Sequence, residues 1–219
     1  MQSTYNRRSF LKTSSLAGGG LLLGFNLFNA CTSPTNPSAA IAPAKILTPE
    51  DWSNLNAFIK IATDGSITIM SPNPEIGQGI KTSMPMIVAE ELDVDWAKVI
   101  VEQAPLNTEL YQRQFIGGSN AIRFGWEGLR MAGASARQML RQAAAKTWSV
   151  PVEEIITEAG ILKHSKSSQS ANYGEMAIAA ANIPVPEEVE LKNSDDFKII
   201  GTSRKNADGK KILPGQPLF

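Results

Sequence analysis

Cysteine and histidine are almost absent from this sequence, which contains one of each among its 219 residues. A single cysteine, Cys31, permits no internal disulfide and cannot hold an iron–sulfur cluster or a cysteine-based zinc site. A single histidine, His164, leaves almost nothing from which to build a Ser/His/Asp triad or a histidine-ligated metal site, so we interpret it as a surface residue. Several common catalytic arrangements are therefore excluded within this chain.

The chain also lacks an excess of charge of either sign, because 21 Lys and Arg residues balance 21 Asp and Glu residues. No basic cluster is interleaved with aromatic side chains, so we do not expect a nucleic-acid partner. No phosphate-binding loop of the Gly-Lys-Ser/Thr type is found. The acidic pairs Glu90-Glu91 and Glu153-Glu154 are adjacent in sequence and point in different directions on a helix, so we expect solvated rather than catalytic side chains.

Residues 1–31 have the pattern of an export signal. Arg7 and Arg8 precede a short, glycine-rich apolar stretch, residues 13–28, which is too short to span a bilayer stably. The arrangement resembles a twin-arginine signal, a route that carries folded proteins and is typical of enzymes loaded with a cofactor in the cytoplasm. A plain secretory signal is the alternative, and either route predicts a periplasmic or membrane-associated protein.

Cys31 is a candidate for lipidation, because Phe28 and Ala30 precede it in a pattern, LFNAC, that resembles a lipoprotein cleavage site. The alternative is an incidental cysteine in a discarded signal. Residues 32–51 begin with a Pro-, Ser- and Ala-rich stretch, which predicts a flexible tether. A lipid on Cys31 would anchor the protein to a membrane through that tether.

The remaining sequence predicts an α/β (α+β) fold with a mixed sheet and packed helices. Alternating apolar residues around Asp64-Gly65 predict a β-hairpin. Helical spacing follows from Ile80, and Pro85 predicts that the regular helix begins with residue 82 or 83 as its cap or kinks there. Further predicted elements are a strand in 97–105, a helix over 126–148, a hairpin about Ala159-Gly160, a helix from Tyr173 to Ala181 and a strand at 197–200.

Two glycine-rich segments are the remaining candidates for chemistry: the Gly-Gln-Gly loop, Gly77-Gln78-Gly79, and the Gly-Gly-Ser loop, 117–119. Glycines let backbone amides approach an anion, and a helix N-terminus adds partial positive charge, so the first loop suits a phosphate- or pterin-bearing cofactor. The Gln78 amide can donate and accept hydrogen bonds with a planar heterocycle. The alternative, that such a loop merely turns the chain, stays open.

Three segments, 58–105, 116–155 and 173–177, together resemble the molybdopterin-binding large subunit of the xanthine dehydrogenase family, most closely the isoquinoline 1-oxidoreductase beta-subunit type. The likeness covers about residues 56–200, in order and with matching gaps. It implies that the molybdenum cofactor, in a dinucleotide form, is approached by the Gly-Gln-Gly loop, with the Gln78 amide near the metal's oxo group. It also implies a position near the cofactor for Gly117, Gly118 and Ser119.

The resemblance further implies oxidative hydroxylation of an aldehyde or N-heterocycle, with oxygen taken from water. Electrons would pass to iron–sulfur clusters on a small [2Fe-2S] partner subunit and then to an acceptor such as a cytochrome. Family members are longer, with a catalytic glutamate near their C-terminus. The resemblance therefore implies that 52–183 is the N-terminal part of a molybdopterin-binding domain, incomplete on its own, that 184–219 leads toward a hammerhead-type domain, and that this chain carries no catalytic residue and no metal ligand.

A non-enzymatic reading stands beside this one. In it, the chain is an exported lipoprotein domain that is tethered through Cys31, folds alone and binds a partner or ligand. The enzymatic reading requires the remainder of the large subunit and predicts that the chain is inactive by itself. The two readings are distinguished by whether molybdenum accompanies the protein.

Overall fold

The computed structural model of the chain describes residues 52–111 and 113–217, so the predictions made for Arg7, Arg8, Cys31 and the tether lie outside the described residues. Its first sheet has the strand order β1-β2-β3-β4. The pairs β1/β2 and β2/β3 are antiparallel, whereas β3/β4 is parallel. These strands are β1 (Trp52–Asn56), β2 (Ile59–Ala62), β3 (Ile67–Ser71) and β4 (Val99–Gln103).

A second, three-stranded antiparallel sheet contains β5 (Ile155–Glu158), β6 (Ile161–His164) and β7 (Ser170–Asn172). The helices are α1 (Ile80–Leu92), α2 (Ala121–Trp148), α3 (Tyr173–Ala181) and the single turn α4 (Gly209–Ile212). Three-residue 3-10 turns lie at Trp96–Lys98, Val152–Glu154 and Ser194–Asp196. The predicted mixed α/β class is confirmed.

Helix α1 connects the parallel strands β3 and β4, as such a pair requires a crossover. It packs closely on α2, because Gly133 of α2 leaves room for the α1 backbone: a Cβ at this position would lie 2.3 Å from the Val88 carbonyl oxygen. Ile61 of the sheet, Leu92 of α1 and Leu140 of α2 are fully buried in one shared core. The two glycine loops precede this helix pair directly, one before each helix.

One of the two alternatives predicted for α1, a start with residue 82 or 83 as its cap, was wrong, and so was the predicted start of α2. Helix α1 begins at Ile80 rather than at residue 82 or 83 and continues through Pro85, because the Gly79 carbonyl accepts the amides of residues 82 and 83 and Glu75 caps the first turn from outside. Helix α2 begins at Ala121, five residues before the predicted start. The sequence there contains Gly125, which usually weakens a helix, but its missing side chain leaves room for packing.

Residues 197–200, predicted as a strand, form no strand. Their consecutive backbone amides, from Lys198 to Ile200, all donate to one carboxylate oxygen of Glu90, at 2.6 to 3.0 Å. Successive amides of a β-strand point to opposite sides, so three of them cannot converge on one atom. The buried carboxylate therefore overrides the local β preference of this apolar run.

Within the described part of the chain, no helix is both long enough and apolar enough to cross a membrane.

Candidate functional site

The two glycine loops meet at one cavity of about 360 Å³, here called the loop cavity. Gln78 lines it from the Gly-Gln-Gly loop, and Gly117 and Ser119 line it from the Gly-Gly-Ser loop. The other lining residues are Asn73, Ile76, Ile80, Ser83, Phe115, Ile116, Asn120, Ala121 and Ile122. Two segments about forty positions apart in sequence are thus brought together, because each precedes one helix of the packed pair α1 and α2.

The Gly-Gln-Gly loop is shaped by left-handed backbone at both glycines, with φ of 101° at Gly77 and 81° at Gly79. Residues other than glycine rarely adopt such φ angles, so this backbone conformation requires glycine at both positions. The Gln78 side chain folds back on its own loop. Its Oε1 accepts the amide of Ile76 at 2.7 Å, and its Nε2 donates to the carbonyl of Pro74 at 2.9 Å.

The amides of this loop are engaged by a residue that the sequence reasoning missed, Glu75. One carboxylate oxygen accepts the amides of Gly77 and Gly79, at 2.7 and 2.9 Å, and the other accepts the amide of Lys81 at 2.9 Å. Partial burial raises the pKa of Glu75, but hydrogen bonds from the backbone amides of Lys81 and of the loop together outweigh that effect and hold the pKa below its ordinary value. Glu75 is therefore an anion at neutral pH, placed at the N-terminus of α1.

The Gly-Gly-Ser loop is arranged differently. Gly118 and Ser119 both have left-handed backbone conformations, with φ of 62° and 53°. This conformation is uncommon for a residue with a side chain, such as Ser119. The next residue, Asn120, is the N-cap of α2, yet its side chain makes no capping hydrogen bond. Within residues 52–111 and 113–217, the amides of residues 121–123 have no acceptor. The N-terminus of this 28-residue helix is therefore uncompensated beside the cavity.

A second cavity of about 330 Å³ adjoins the loop cavity and shares five lining residues with it, Asn73, Phe115, Gly117, Asn120 and Ala121. Its wall contains Arg113, whose guanidinium carbon lies 3.9 Å from the ring centroid of Phe124. Such stacking holds the cation against an aromatic face. The neighbourhood of the α2 N-terminus is thus positive, since the first turn of α2 contains no acidic residue.

The electrostatic contrast between the two helix N-termini defines what the loop cavity can bind. On one side, α1 already has an internal carboxylate at its amides. On the other, α2 presents open amides, next to the hydroxyl of Ser119. A ligand with a neutral, hydrogen-bonding part and an anionic part would match both sides.

The structure therefore brings three of the six sequence-predicted site residues to the cavity. Gly77, Gly79 and Gly118 shape the loops but do not line it, and Gly77 instead borders another cavity of about 640 Å³ together with Glu75 and Lys81. Sequence reasoning also missed Asn73 and Asn120. Asn120 was missed because the predicted helix began at residue 126, whereas the observed helix begins at Ala121 and has Asn120 as its N-cap.

The expectation that Glu90 and Glu91 are solvated was wrong, since they are 1% and 0% exposed. Glu90 is compensated by the amides of residues 198–200, and Glu91 forms an ion pair with Arg130 at 2.6 Å. Both partners approach α1 from parts of the chain that are distant in sequence. Buried carboxylates occur when such compensation is available.

His164 is likewise buried rather than on the surface. Its ring nitrogens contact the Oγ of Ser167 at 2.7 Å and a carboxylate oxygen of Glu154 at 2.8 Å. Hydrogen bonds from Lys166 and then from His164 hold the pKa of Glu154 below its ordinary value. This cluster fastens the turn between β6 and β7, and no described cavity opens onto it.

Across the described residues, no cluster of three or more His, Cys, Asp or Glu side chains is arranged to hold a metal ion. The polar side chains that line the loop cavity are amides and hydroxyls, and they lie among apolar residues such as Ile80, Phe115 and Ile122.

Comparison with known sequences identifies the family of this chain. Residues 31–213 match the family described as the molybdopterin cofactor-binding domain. The chain is 37% identical over 163 residues to the beta subunit of isoquinoline 1-oxidoreductase from Brevundimonas diminuta, covering 71% of this chain and 19% of that protein. It is 28% identical over 216 residues to a membrane-bound aldehyde dehydrogenase (pyrroloquinoline-quinone) of Gluconacetobacter polyoxogenes, covering 94% and 26% respectively.

A nicotinate dehydrogenase subunit of Pseudomonas putida is 28% identical over 202 residues, covering 92% of this chain and 16% of that protein. The chain thus spans about a fifth of the length of these relatives. Among solved structures, quinoline 2-oxidoreductase from Pseudomonas putida 86 superposes with a TM-score of 0.44 at 19% identity, covering 57% of this chain and 16% of the other.

The family match extends over most of the chain and includes both glycine loops and the helices that follow them. The resemblance read from segments 58–105, 116–155 and 173–177 is thereby confirmed. The chain belongs to the family of molybdopterin cofactor-binding domains.

Proposed function

We propose that this chain supplies part of the cofactor site of a molybdenum hydroxylase that oxidises aldehydes or N-heterocycles with water as the oxygen source. The observation that carries the proposal is the convergence of Gln78, Gly117 and Ser119 on the loop cavity. Relatives named for isoquinoline, nicotinate and aldehyde oxidation support these two substrate classes. The rest of the catalytic site would come from sequence outside this chain.

The donor set around the loop cavity fits a molybdopterin. A pterin is a neutral heterocycle with several donors and acceptors, which suits the amide of Gln78. Its phosphate suits the uncompensated N-terminus of α2 behind Ser119 and Asn120, where no acidic residue opposes it in the first turn. The polar side chains of the wall are amides and hydroxyls, which can hydrogen-bond to a pterin, and the apolar residues among them suit the flat face of its ring.

When bound, the cofactor supplies the redox chemistry of the hydroxylation. The residues of this chain hold and orient it. Gln78 donates and accepts hydrogen bonds at the heterocycle, while the backbone of the Gly-Gly-Ser loop and the first turn of α2 bind the anionic part. Iron–sulfur clusters on a separate [2Fe-2S] subunit would accept the electrons, and this is consistent with a chain whose single cysteine cannot ligate a cluster.

The proposal also includes export by the twin-arginine route, on the sequence pattern around Arg7 and Arg8. A cofactor-loaded enzyme is the kind of cargo that this route carries folded. Lipidation at Cys31 would hold the enzyme at the membrane.

The decisive experiment measures molybdenum and pterin in the protein purified from its native source, for wild type, Gln78→Ala and Ser119→Ala. Inductively coupled plasma mass spectrometry gives the metal content, and fluorescence of the oxidised pterin gives the cofactor content. We expect molybdenum in the wild type and a lower content in both variants. Lys98→Ala, a substitution away from both loops, is the matched control and should retain the wild-type content.

Wild-type protein without molybdenum would overturn the proposal. Pyrroloquinoline quinone should be assayed in the same samples, since the name of one relative carries it. Its presence in place of molybdenum would assign a different redox cofactor. Unchanged molybdenum in Gln78→Ala and Ser119→Ala would move the cofactor away from the loop cavity.

A further inference from the structure

We propose that Glu75 is a positioning residue, whose carboxylate holds the Gly-Gln-Gly loop in the shape that presents Gln78 to the loop cavity. The role assigned to Gln78 rests on the proposed function. The role assigned to Glu75 in shaping the loop rests on the contacts of the described residues alone.

The carboxylate of Glu75 connects three amides along the loop and into α1. Oε1 accepts Gly77 and Gly79, and Oε2 accepts Lys81. Hydrogen bonds from neutral amides to a carboxylate are shorter and stronger than those between neutral groups. A single side chain thus fixes every second amide from residue 77 to residue 81.

Few other contacts hold the loop. A Cβ built on Gly77 or Gly79 would meet no atom within 4 Å. Apart from Glu75, the first turn of α1 contacts Gly79, whose carbonyl accepts the Ser83 Oγ at 3.1 Å and the amides of residues 82 and 83. Gln78 is exposed, and among the described residues its side chain hydrogen-bonds only to the backbone of Ile76 and Pro74, directly before the loop. Two glycines have many backbone conformations available, and without a restraint the loop would sample them. The carboxylate of Glu75 is that restraint.

Lys81 does not compete for Glu75 through its side chain. Its ammonium forms an ion pair with Asp208 at 2.8 Å, and both side chains are largely buried. The negative charge of Glu75 is therefore compensated by backbone amides rather than by a cation. The carboxylate of Glu75 therefore interacts with the backbone of the loop and of the first turn of α1.

Glu75 also determines what the loop offers to a ligand. Its charge occupies the amides that an external anion would otherwise bind at the N-terminus of α1. A ligand meets the loop through the side chain of Gln78, each of whose polar atoms keeps a further hydrogen-bonding position. Loss of Glu75 would therefore both loosen the loop and open an anion site there.

Hydrogen exchange with mass spectrometry tests the proposal on the full chain purified from its native source. The variants are Glu75→Ala and Glu75→Gln, and Glu127→Gln on the exposed face of α2 is the matched control. We expect exchange in a peptide covering 75–82 to rise about tenfold or more in Glu75→Ala and less in Glu75→Gln, which keeps one acceptor oxygen. The control should exchange as wild type does.

Chemical rescue of Glu75→Ala by a small carboxylate distinguishes a hydrogen-bonding role of Glu75 from a simple packing role. Sodium formate supplies a small carboxylate that can enter the space left in Glu75→Ala. We expect formate to restore slow exchange in peptide 75–82, and sodium chloride at equal ionic strength to leave it fast. If Glu75→Ala fails to fold, the exchange in Glu75→Gln decides the question.

Unchanged exchange in peptide 75–82 of the variants would overturn the proposal, as would fast exchange that formate slows no more than chloride does. Failure of the proposed function looks different. In that case Gln78→Ala keeps its molybdenum while Glu75→Ala still exchanges rapidly. Conversely, molybdenum loss in Gln78→Ala with unchanged exchange in Glu75→Ala would retain the function and reject Glu75.

Discussion

The carboxylate of Glu90 accepts the backbone amide of Ile199 at 2.6 Å, across 109 positions of the sequence. The same oxygen accepts the amides of Lys198 and Ile200. Glu90 is 1% exposed, so these three amides replace the water that an ionised carboxylate would otherwise require. The relationship fastens the segment after α3 onto α1, beside the helix pair that positions the loop cavity.

Replacing Glu90 by alanine should therefore destabilise the fold strongly. Three amides would lose their acceptor in a buried environment, and we expect the free energy of unfolding to fall by about 3 kcal/mol. Urea unfolding followed by circular dichroism measures the change. Glu127→Ala, on an exposed position, should stay within about 0.5 kcal/mol of wild type. A loss for Glu90→Ala as small as that of the control would contradict this account.

Arg130→Met should be destabilising for a related reason. Arg130 is paired at 2.6 Å with Glu91, whose side chain is 0% exposed, and its guanidinium also stacks on Trp126 and Phe197. Methionine has a similar volume, but it leaves the buried carboxylate of Glu91 with Arg137, at 3.7 Å, as its ion-pair partner. We expect the free energy of unfolding to fall by about 3 kcal/mol. Arg123→Met, at an exposed position of the same helix, is the matched control and should change stability little. Thermal unfolding of the two variants compares them.

Two glycines of α2 should respond to alanine in opposite directions. A Cβ at Gly133 would lie 2.3 Å from the Val88 carbonyl oxygen, whereas one at Gly128 would meet nothing within 4 Å. We expect Gly133→Ala to push α1 and α2 apart and lower the free energy of unfolding by about 2 kcal/mol or more. Gly128→Ala should raise it by about 0.5 to 1 kcal/mol, through helix propensity. Equal effects at the two positions would refute the close packing of the helices.

The stabilising effect of Glu75 should depend on pH. Its pKa is lowered in the folded state, so the carboxylate contributes stability above its ordinary pKa, and this contribution is lost as the pH falls through the lowered folded value. The stability difference between wild type and Glu75→Gln should accordingly be constant near neutrality and shrink in the acidic range. Urea midpoints at a series of pH values measure it. A difference that persisted unchanged in strong acid would exclude the ionised carboxylate as its source.

Local patterns predicted the elements that depend on local contacts. The helix Tyr173–Ala181 was placed correctly, and a capping box between Asn172 and Glu175 explains why its start is well specified by sequence. The hairpin at Ala159-Gly160 likewise follows from turn chemistry, and the structure pairs β5 with β6 there. Both features depend on residues a few positions apart.

The missed features depend on partners that no local window contains. Glu90 reads as solvated until residues 198–200 are known to lie against it. His164 reads as exposed until Glu154 and Ser167 surround it. The role of Glu75 depends on closer residues and could have been predicted, because a carboxylate a few positions before a helix start commonly accepts first-turn amides.

The contact between α1 and residues 198–200 also has a consequence for how the chain folds during synthesis. Closing a loop of about a hundred residues is slow compared with forming a helix hairpin, and contacts of this separation raise the contact order of the fold. Helix α1 emerges from the ribosome long before the amides that hydrogen-bond to Glu90 do. Until residue 200 has been synthesised, the carboxylate of Glu90 lacks these hydrogen-bond donors, although it lies on a face of α1 that is buried in the folded protein. Packing of this face is therefore completed late, after the C-terminal part of the chain has been synthesised.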